Sequence, residues 1–195
     1  KWVAQIEDAD RIPEYVNRAF TTATSGRPGP VVLVLPEDML TDLTAAKDLP
    51  KAPTLVTQPG SEEVERALAE LSKAERPLVV VGGAGWSEEA RKDLEEFATN
   101  WDVPVATSFR CQDFFDNNHP NYVGDMGIAI SPELTHRVKD ADALLVIGAR
   151  LGEMTTRSYT LVNIPQPQQK LIHVHASAEE LGSVYFPTVA VHASP

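Results

Sequence analysis

Apolar residues in this chain fall into short uninterrupted runs, separated by stretches of helical period. Val31-Val32-Leu33-Val34-Leu35, Leu78-Val79-Val80-Val81 and Ala143-Leu144-Leu145-Val146-Ile147 contain no polar residue. Such runs predict strands buried on both faces, as in a parallel sheet. Val103-Pro104-Val105-Ala106-Thr107, Lys170 to His175 and Thr188 to Val191 read as three more strands. Ile12, Val16, Ala19, Phe20 and Ala23 share one face of a helix over 9–25, with Asp8 or Asp10 as its cap. Ser61 caps a predicted helix carrying Val64, Ala67, Leu68 and Leu71, and Ser87 caps one with Leu94, Phe97, Ala98 and Trp101 inward. Ser131-Pro132 opens a helix over 132–139, and a short helix is expected through Glu179, Glu180 and Leu181. Residues 108–130, rich in Asn, Asp and Gly, are expected to be irregular. Residues 37–60 show little periodicity and hold Pro50, Pro53 and Pro59, which suits a linker. Strands alternating with helices predict the α/β class with a parallel sheet.

Composition narrows the function classes. The chain has 195 residues, enough for one domain and an appendage. A net charge of −11 argues against nucleic acid or an anionic membrane as partner, because like charges repel. No apolar run is long enough for a membrane span. The single Cys111 makes no internal disulfide, which favours a reducing, cytoplasmic setting. The first residue is Lys1, and Lys1 to Ile6 has no signal-peptide plan, so a piece of a larger protein is expected.

Ligands of open parallel sheets bind beyond the carboxyl ends of the strands. Three segments stand there. Gly82-Gly83-Ala84-Gly85 separates a strand from a helix, where bare backbone N–H groups and the helix dipole can hold a phosphate. The same glycines equally suit a tight turn, and the spacing is not G-x-G-x-x-G. Gly148-Ala149-Arg150 offers a guanidinium for a phosphate or for one of the many carboxylates. Ser108-Phe109-Arg110-Cys111-Gln112-Asp113 feeds a long loop, with Arg110 and Gln112 as ligand contacts and Cys111 as a nucleophile or a plain buried thiol. His173 and His175 share one strand face, without a third ligand at familiar metal spacing. His119 is read as a loop residue, and Asp140, Asp142, Glu62-Glu63 and Glu88-Glu89 as solvated helix-end charges.

Taken in order, these segments resemble part of a thiamine-diphosphate-dependent enzyme of the acetolactate synthase and benzoylformate decarboxylase superfamily. Ala9 to Leu40, with Gly26-Arg27-Pro28-Gly29-Pro30-Val31 and Leu35-Pro36-Glu37-Asp38, is similar to the end of that family's pyrimidine-binding domain. Arg76 to Gly85 resembles the first strand and turn of its central domain. His119-Pro120-Asn121-Tyr122-Val123-Gly124-Asp125-Met126-Gly127 resembles its His-Pro…Gly…Gly loop. Ala141 to Arg150 and Leu171 to Ala176 resemble its later strands.

The resemblance implies a Rossmann-like open parallel sheet of about six strands flanked by helices, with an extra N-terminal helix–strand segment. It divides the chain into residues 1–42, the tail of the pyrimidine-binding domain; 43–60, a linker; and 61–195, the central domain. It implies an intact homodimer or homotetramer acting on a 2-oxo acid, with thiamine diphosphate and Mg²⁺ held by domains outside this chain. Gly124-Asp125-Met126 is not the family's Gly-Asp-Gly…Asn metal motif, so the segment alone is expected to be inactive. In different relatives the central domain holds FAD, ADP, another nucleotide or nothing. By position Gly82, Gly83, Gly85, Ser108, Phe109, Arg110, Gly148, Ala149 and Arg150 would line that site. Ala129, Leu151 to Met154 and His175 depart from the pattern of the FAD-binding members. Two rival functions remain open at this point. One is an autonomous NAD- or FAD-binding oxidoreductase domain, with Asp102 as ribose ligand. The other is a pure oligomerisation module.

Overall fold

The apolar runs become parallel strands in the computed structural model, which describes residues 1–53 and 55–195. The chain forms two compact units, Lys1–Val56 and Thr57–Pro195.

In the first unit, β1 (Trp2–Gln5) pairs in parallel with β2 (Val31–Val34), in register from Trp2↔Val31 to Gln5↔Val34. The connection between them carries α1 (Ile12–Thr24). A short 3-10 turn, Ala9–Arg11, precedes the helix, and the Asp8 carboxylate accepts the Asp10 N–H at 2.9 Å to start it. Ile6, Ala9 and Met39 form a small core, with Ile12, Tyr15 and Leu33 against it. Two expectations fail here. β2 is not covered on both faces: Val32 and Val34 are 51% and 43% exposed, beside Val3 at 68%. The predicted apolar face of α1 is split, because Val16 and Phe20 point to solvent. A continuous apolar run records the cover a strand was selected for, not whether these residues provide it. β1 itself was not predicted; four residues at a chain end carry too little pattern.

The second unit begins with α2 (Ser61–Leu71). Its cap is Gly60 rather than Ser61, and the Glu63 carboxylate accepts the Gly60 N–H at 2.8 Å. Then follow β3 (Pro77–Val81), α3 (Glu88–Trp101), β4 (Val105–Ser108), β5 (Tyr122–Met126), α4 (Pro132–Asp140), β6 (Ala143–Ile147), β7 (Lys170–Val174) and β8 (Val189–Val191). Ser87 Oγ caps α3 by accepting the Ala90 N–H, and Ser131 Oγ caps α4 by accepting the Leu134 N–H, each at 3.1 Å. β5 lies within the stretch expected to be irregular; its glycine and polar residues hide an edge strand that, among the described residues, pairs only with β4. Residues 179–181 form turns, not a helix. Trp101, expected inward, is 44% exposed because it closes the last turn of α3.

The six strands lie in the order β5-β4-β3-β6-β7-β8, and every neighbouring pair is parallel. This is the Rossmann order. Strand alternation builds two cores. Leu78, Val80, Leu144, Val146 and Leu171 face α4, through Leu134 and Val138. Val79, Val81, Leu145, Ile172 and Val191 face α2 and α3, through Leu71, Leu94 and Ala98. None of the described helices is long and apolar enough to cross a membrane.

Two outcomes follow from this packing. Leu144→Ala, at a side chain 1% exposed, should destabilise the second unit by about 2–5 kcal/mol in urea titration. Amide exchange should be fast in β1 and β2 and slow in β3 and β6, because a parallel pair with one bare face opens easily. Strong, uniform protection of Val31–Val34 in a monomer would contradict this.

Candidate functional site

β3 and β6 are central neighbours. From β3 the chain steps outward to β4 and β5, then returns to β6 and continues the other way. The carboxyl ends of β3 and β6 therefore flank the switch point, where a ligand crevice is expected. The structure brings Gly82, Gly83, Ser108, Gly148 and Ala149 together there. A Cβ on Gly82 would collide with Ser108 Oγ and lie 3.2 Å from the Ala149 Cβ. A Cβ on Gly83 would strike the Gly148 carbonyl, and one on Gly148 the Gly82 carbonyl. Gly83 and Gly148 also have φ of 83° and 70°. Glycine is thus required twice over: for backbone conformation, and for two turns that press against each other.

Neighbouring groups tighten this contact. The Trp86 indole N–H donates to the Gly82 carbonyl at 2.9 Å. Buried His173 on β7 donates Nε2–H to the Ala149 carbonyl at 3.0 Å, which fixes its tautomer. Burial pushes the His173 imidazole below its usual pKa, so it is held neutral. Arg150 pairs with Glu180 at 3.3 Å, the carboxylate alternative among its two sequence readings. The space beside them, lined by Arg150, His173, Glu180 and Tyr185, has a volume of about 10 Å³, room for one water at most.

The remaining predicted residues lie outside this knot. Gly85 has φ of 94° and open space on its Cα, with Pro195 3.8 Å from a Cβ placed there. Phe109 turns towards Gly127, and exposed Arg110 stands over the Phe109 ring at 5.1 Å. Cys111 is buried; its backbone N–H donates to Ser108. His119, the histidine nearest it in sequence, instead contacts Thr99 Oγ1 at 3.2 Å and accepts the Asn121 N–H at 3.2 Å.

Several charges change meaning in three dimensions. Asp102 ends α3 in the left-handed conformation, at the amino end of β4, and accepts from Asn121 Nδ2 at 3.1 Å. It lies at the opposite end of the sheet from the glycine turns, which removes it as a ribose ligand. Asp142, expected to be a solvated helix-end charge, accepts the N–H groups of Glu75 and Arg76 at 2.8 and 3.0 Å. Burial raises its pKa, but these backbone donors outweigh burial and hold the carboxylate ionised. Asp125 on β5 is the reverse case. Burial pushes its pKa up, a Gln112 hydrogen bond opposes this, and Oδ1 is buried without a partner.

These residues do not fit a metal–diphosphate site. Among the described residues no three His, Cys, Asp or Glu side chains converge on a metal position. His173 and His175 stand 5.8 Å apart between ring centres, each bonded to backbone; His175 Nδ1 accepts the Ser177 N–H at 3.0 Å. Sequence reasoning missed Trp86, which follows the glycines. It also missed His173 as the anchor of the neighbouring turn.

Comparison with known proteins supplies the context. The family profile described as "Thiamine pyrophosphate enzyme, central domain" matches residues 64–195. The chain is 28% identical over 186 residues to a probable acetolactate synthase large subunit of Methanocaldococcus jannaschii, covering 91% of this chain and 31% of that protein. It is 28% identical to the acetolactate synthase isozyme 1 large subunit of Escherichia coli K12, covering 96% and 33%. It is 32% identical to the isozyme 3 large subunit of the same organism, covering 80% and 28%. The chain thus spans about a third of the length of these curated relatives.

Two variants probe the geometry. Gly83→Ala should destabilise the second unit markedly in chemical denaturation, because the Gly148 carbonyl cannot move without disturbing β6. Asp125→Asn should do the opposite. The folded Asp125 binds its proton more tightly than the unfolded one, so its contribution is complete below the ordinary Asp range and is lost as pH rises through the raised value. The variant should therefore gain on the wild type at neutral pH, and the gain should vanish below about pH 4.

Proposed function

We propose a reading that starts from one premise: the chain belongs to the thiamine pyrophosphate enzyme family, whose central domain it carries. The intact protein is then a thiamine-diphosphate-dependent decarboxylase or carboligase of the acetolactate synthase type, acting on 2-oxo acids. The observation that carries this reading is the coincidence of the match over 64–195 with the six-stranded unit. When bound, thiamine diphosphate supplies an electron sink for such chemistry.

Neither that cofactor nor Mg²⁺ has a fitting donor set in these residues, so no step is assigned to them. The groups that hold both belong to other domains of the same polypeptide. Residues 1–42 are the end of the pyrimidine-binding domain, 43–60 the linker, and 61–195 the central domain. The bare face formed by Val3, Val32 and Val34 supports the first assignment, because a parallel pair calls for further strands and cover. The central domain acts as scaffold within a cytoplasmic homodimer or homotetramer and is inactive alone. The autonomous dinucleotide reading has lost Asp102, the residue on which it depended.

The test uses the full-length protein with thiamine diphosphate, Mg²⁺ and a panel of 2-oxo acids. Carbon dioxide release and acetolactate formation are expected, both abolished by chelation, and residues 1–195 alone should produce neither. Hydride transfer to a nicotinamide cofactor in their place would overturn the reading.

A further inference from the structure

We propose that the switch-point crevice of this domain is closed by the domain's own residues, so that the enzyme carries no FAD or ADP there. The inference rests on the family reading above for its expectation of a nucleotide, and on geometry for its conclusion.

A pyrophosphate at a strand–turn–helix needs free backbone N–H groups, bare glycine faces and a positive helix end. The N–H of Gly82 is spent on the Ile147 carbonyl at 3.1 Å, and that of Gly148 on the Val174 carbonyl at 2.8 Å. Both bonds tie one strand end to the next, and a phosphate would have to break them. Three of the four glycine faces are taken as well, and only Gly85 is open. Gly82 faces Ser108, Gly83 faces Gly148, and Gly148 faces Gly82 and the Pro195 ring. The Trp86 indole lies over the same place, its Nε1 on the Gly82 carbonyl and 3.5 Å from a Cβ built at Gly148.

The helix end is also unsuitable. α3 begins with Glu88 and Glu89. The Glu89 carboxylate is held ionised by its own backbone N–H and the Ser87 hydroxyl, which places negative charge where a phosphate would arrive. The cations do not compensate. Arg150 is paired with Glu180, and Arg110 stands over Phe109, out on the loop beyond β4. Of the predicted nucleotide residues, those that converge do so on one another. The glycines that resemble a phosphate turn are there to let β3 and β6 interlock.

The test takes the full-length protein as purified. Its visible absorbance is measured for flavin, and its acid-released nucleotides are separated by chromatography. FAD and ADP are then titrated while Trp fluorescence, Tm and thiamine-diphosphate-dependent activity are followed. The expected result is a colourless protein with no retained adenine nucleotide. No saturable change in fluorescence or Tm should appear at millimolar FAD or ADP, and added FAD should leave activity unchanged. Near-stoichiometric retention of either nucleotide, saturable binding of either, or activity that rises with FAD would overturn the proposal. Retained flavin with full 2-oxo acid activity would sink the closed crevice and leave the family function standing. A nucleotide-free protein without that activity would sink the function and leave the crevice closed.

Discussion

Much of the second unit depends on the pairing of β3 with β6. These strands are distant in sequence, yet they align over five residue pairs, from Pro77↔Ala143 to Val81↔Ile147. Both ends of the seam are fastened. At the amino end the Asp142 carboxylate takes two backbone N–H groups from the segment entering β3. At the carboxyl end Gly83 and Gly148 press their turns together, with Trp86 and His173 bonded to the carbonyls of Gly82 and Ala149. The two halves of the sheet grow outward from this seam, and the two cores follow on its faces.

The same rule governs the first unit with a different outcome. A parallel sheet needs cover on both faces, since its crossover connections place helices there. β3 and β6 obtain that cover from α2, α3 and α4. β1 and β2 have α1 and a small core on one side, and valines in solvent on the other. Exposure of this kind is costly for a pair this short.

The polar groups of the second unit are spent largely on the fold itself. Charges and donors that sequence reading could assign to a ligand are consumed in holding elements together: Arg150 on Glu180, Asp142 on Glu75 and Arg76, His173 on Ala149. Buried polar groups need partners, and here the chain supplies nearly all of them. Asp125 is one of a few exceptions among the described residues, with one buried oxygen unpaired and its pKa raised by burial.

The strands β3, β4, β6, β7 and β8 and the helices α2, α3 and α4 were legible in the sequence, because continuous apolar runs and capped amphipathic periods are local signals. The α/β class and the family followed from their order. β1 and β5 were not legible: one is a four-residue end segment, the other an edge strand interrupted by Gly124 and Asp125. The glycine positions were visible as candidates, but their purpose was not. A glycine that admits a phosphate and one that admits a neighbouring backbone look identical in sequence. Only the folded sheet brings Gly148 against Gly83 and sends Asp102 to the far end. Residue type sets what a position can do, while the partner that reaches it is fixed by contacts between residues far apart in the chain.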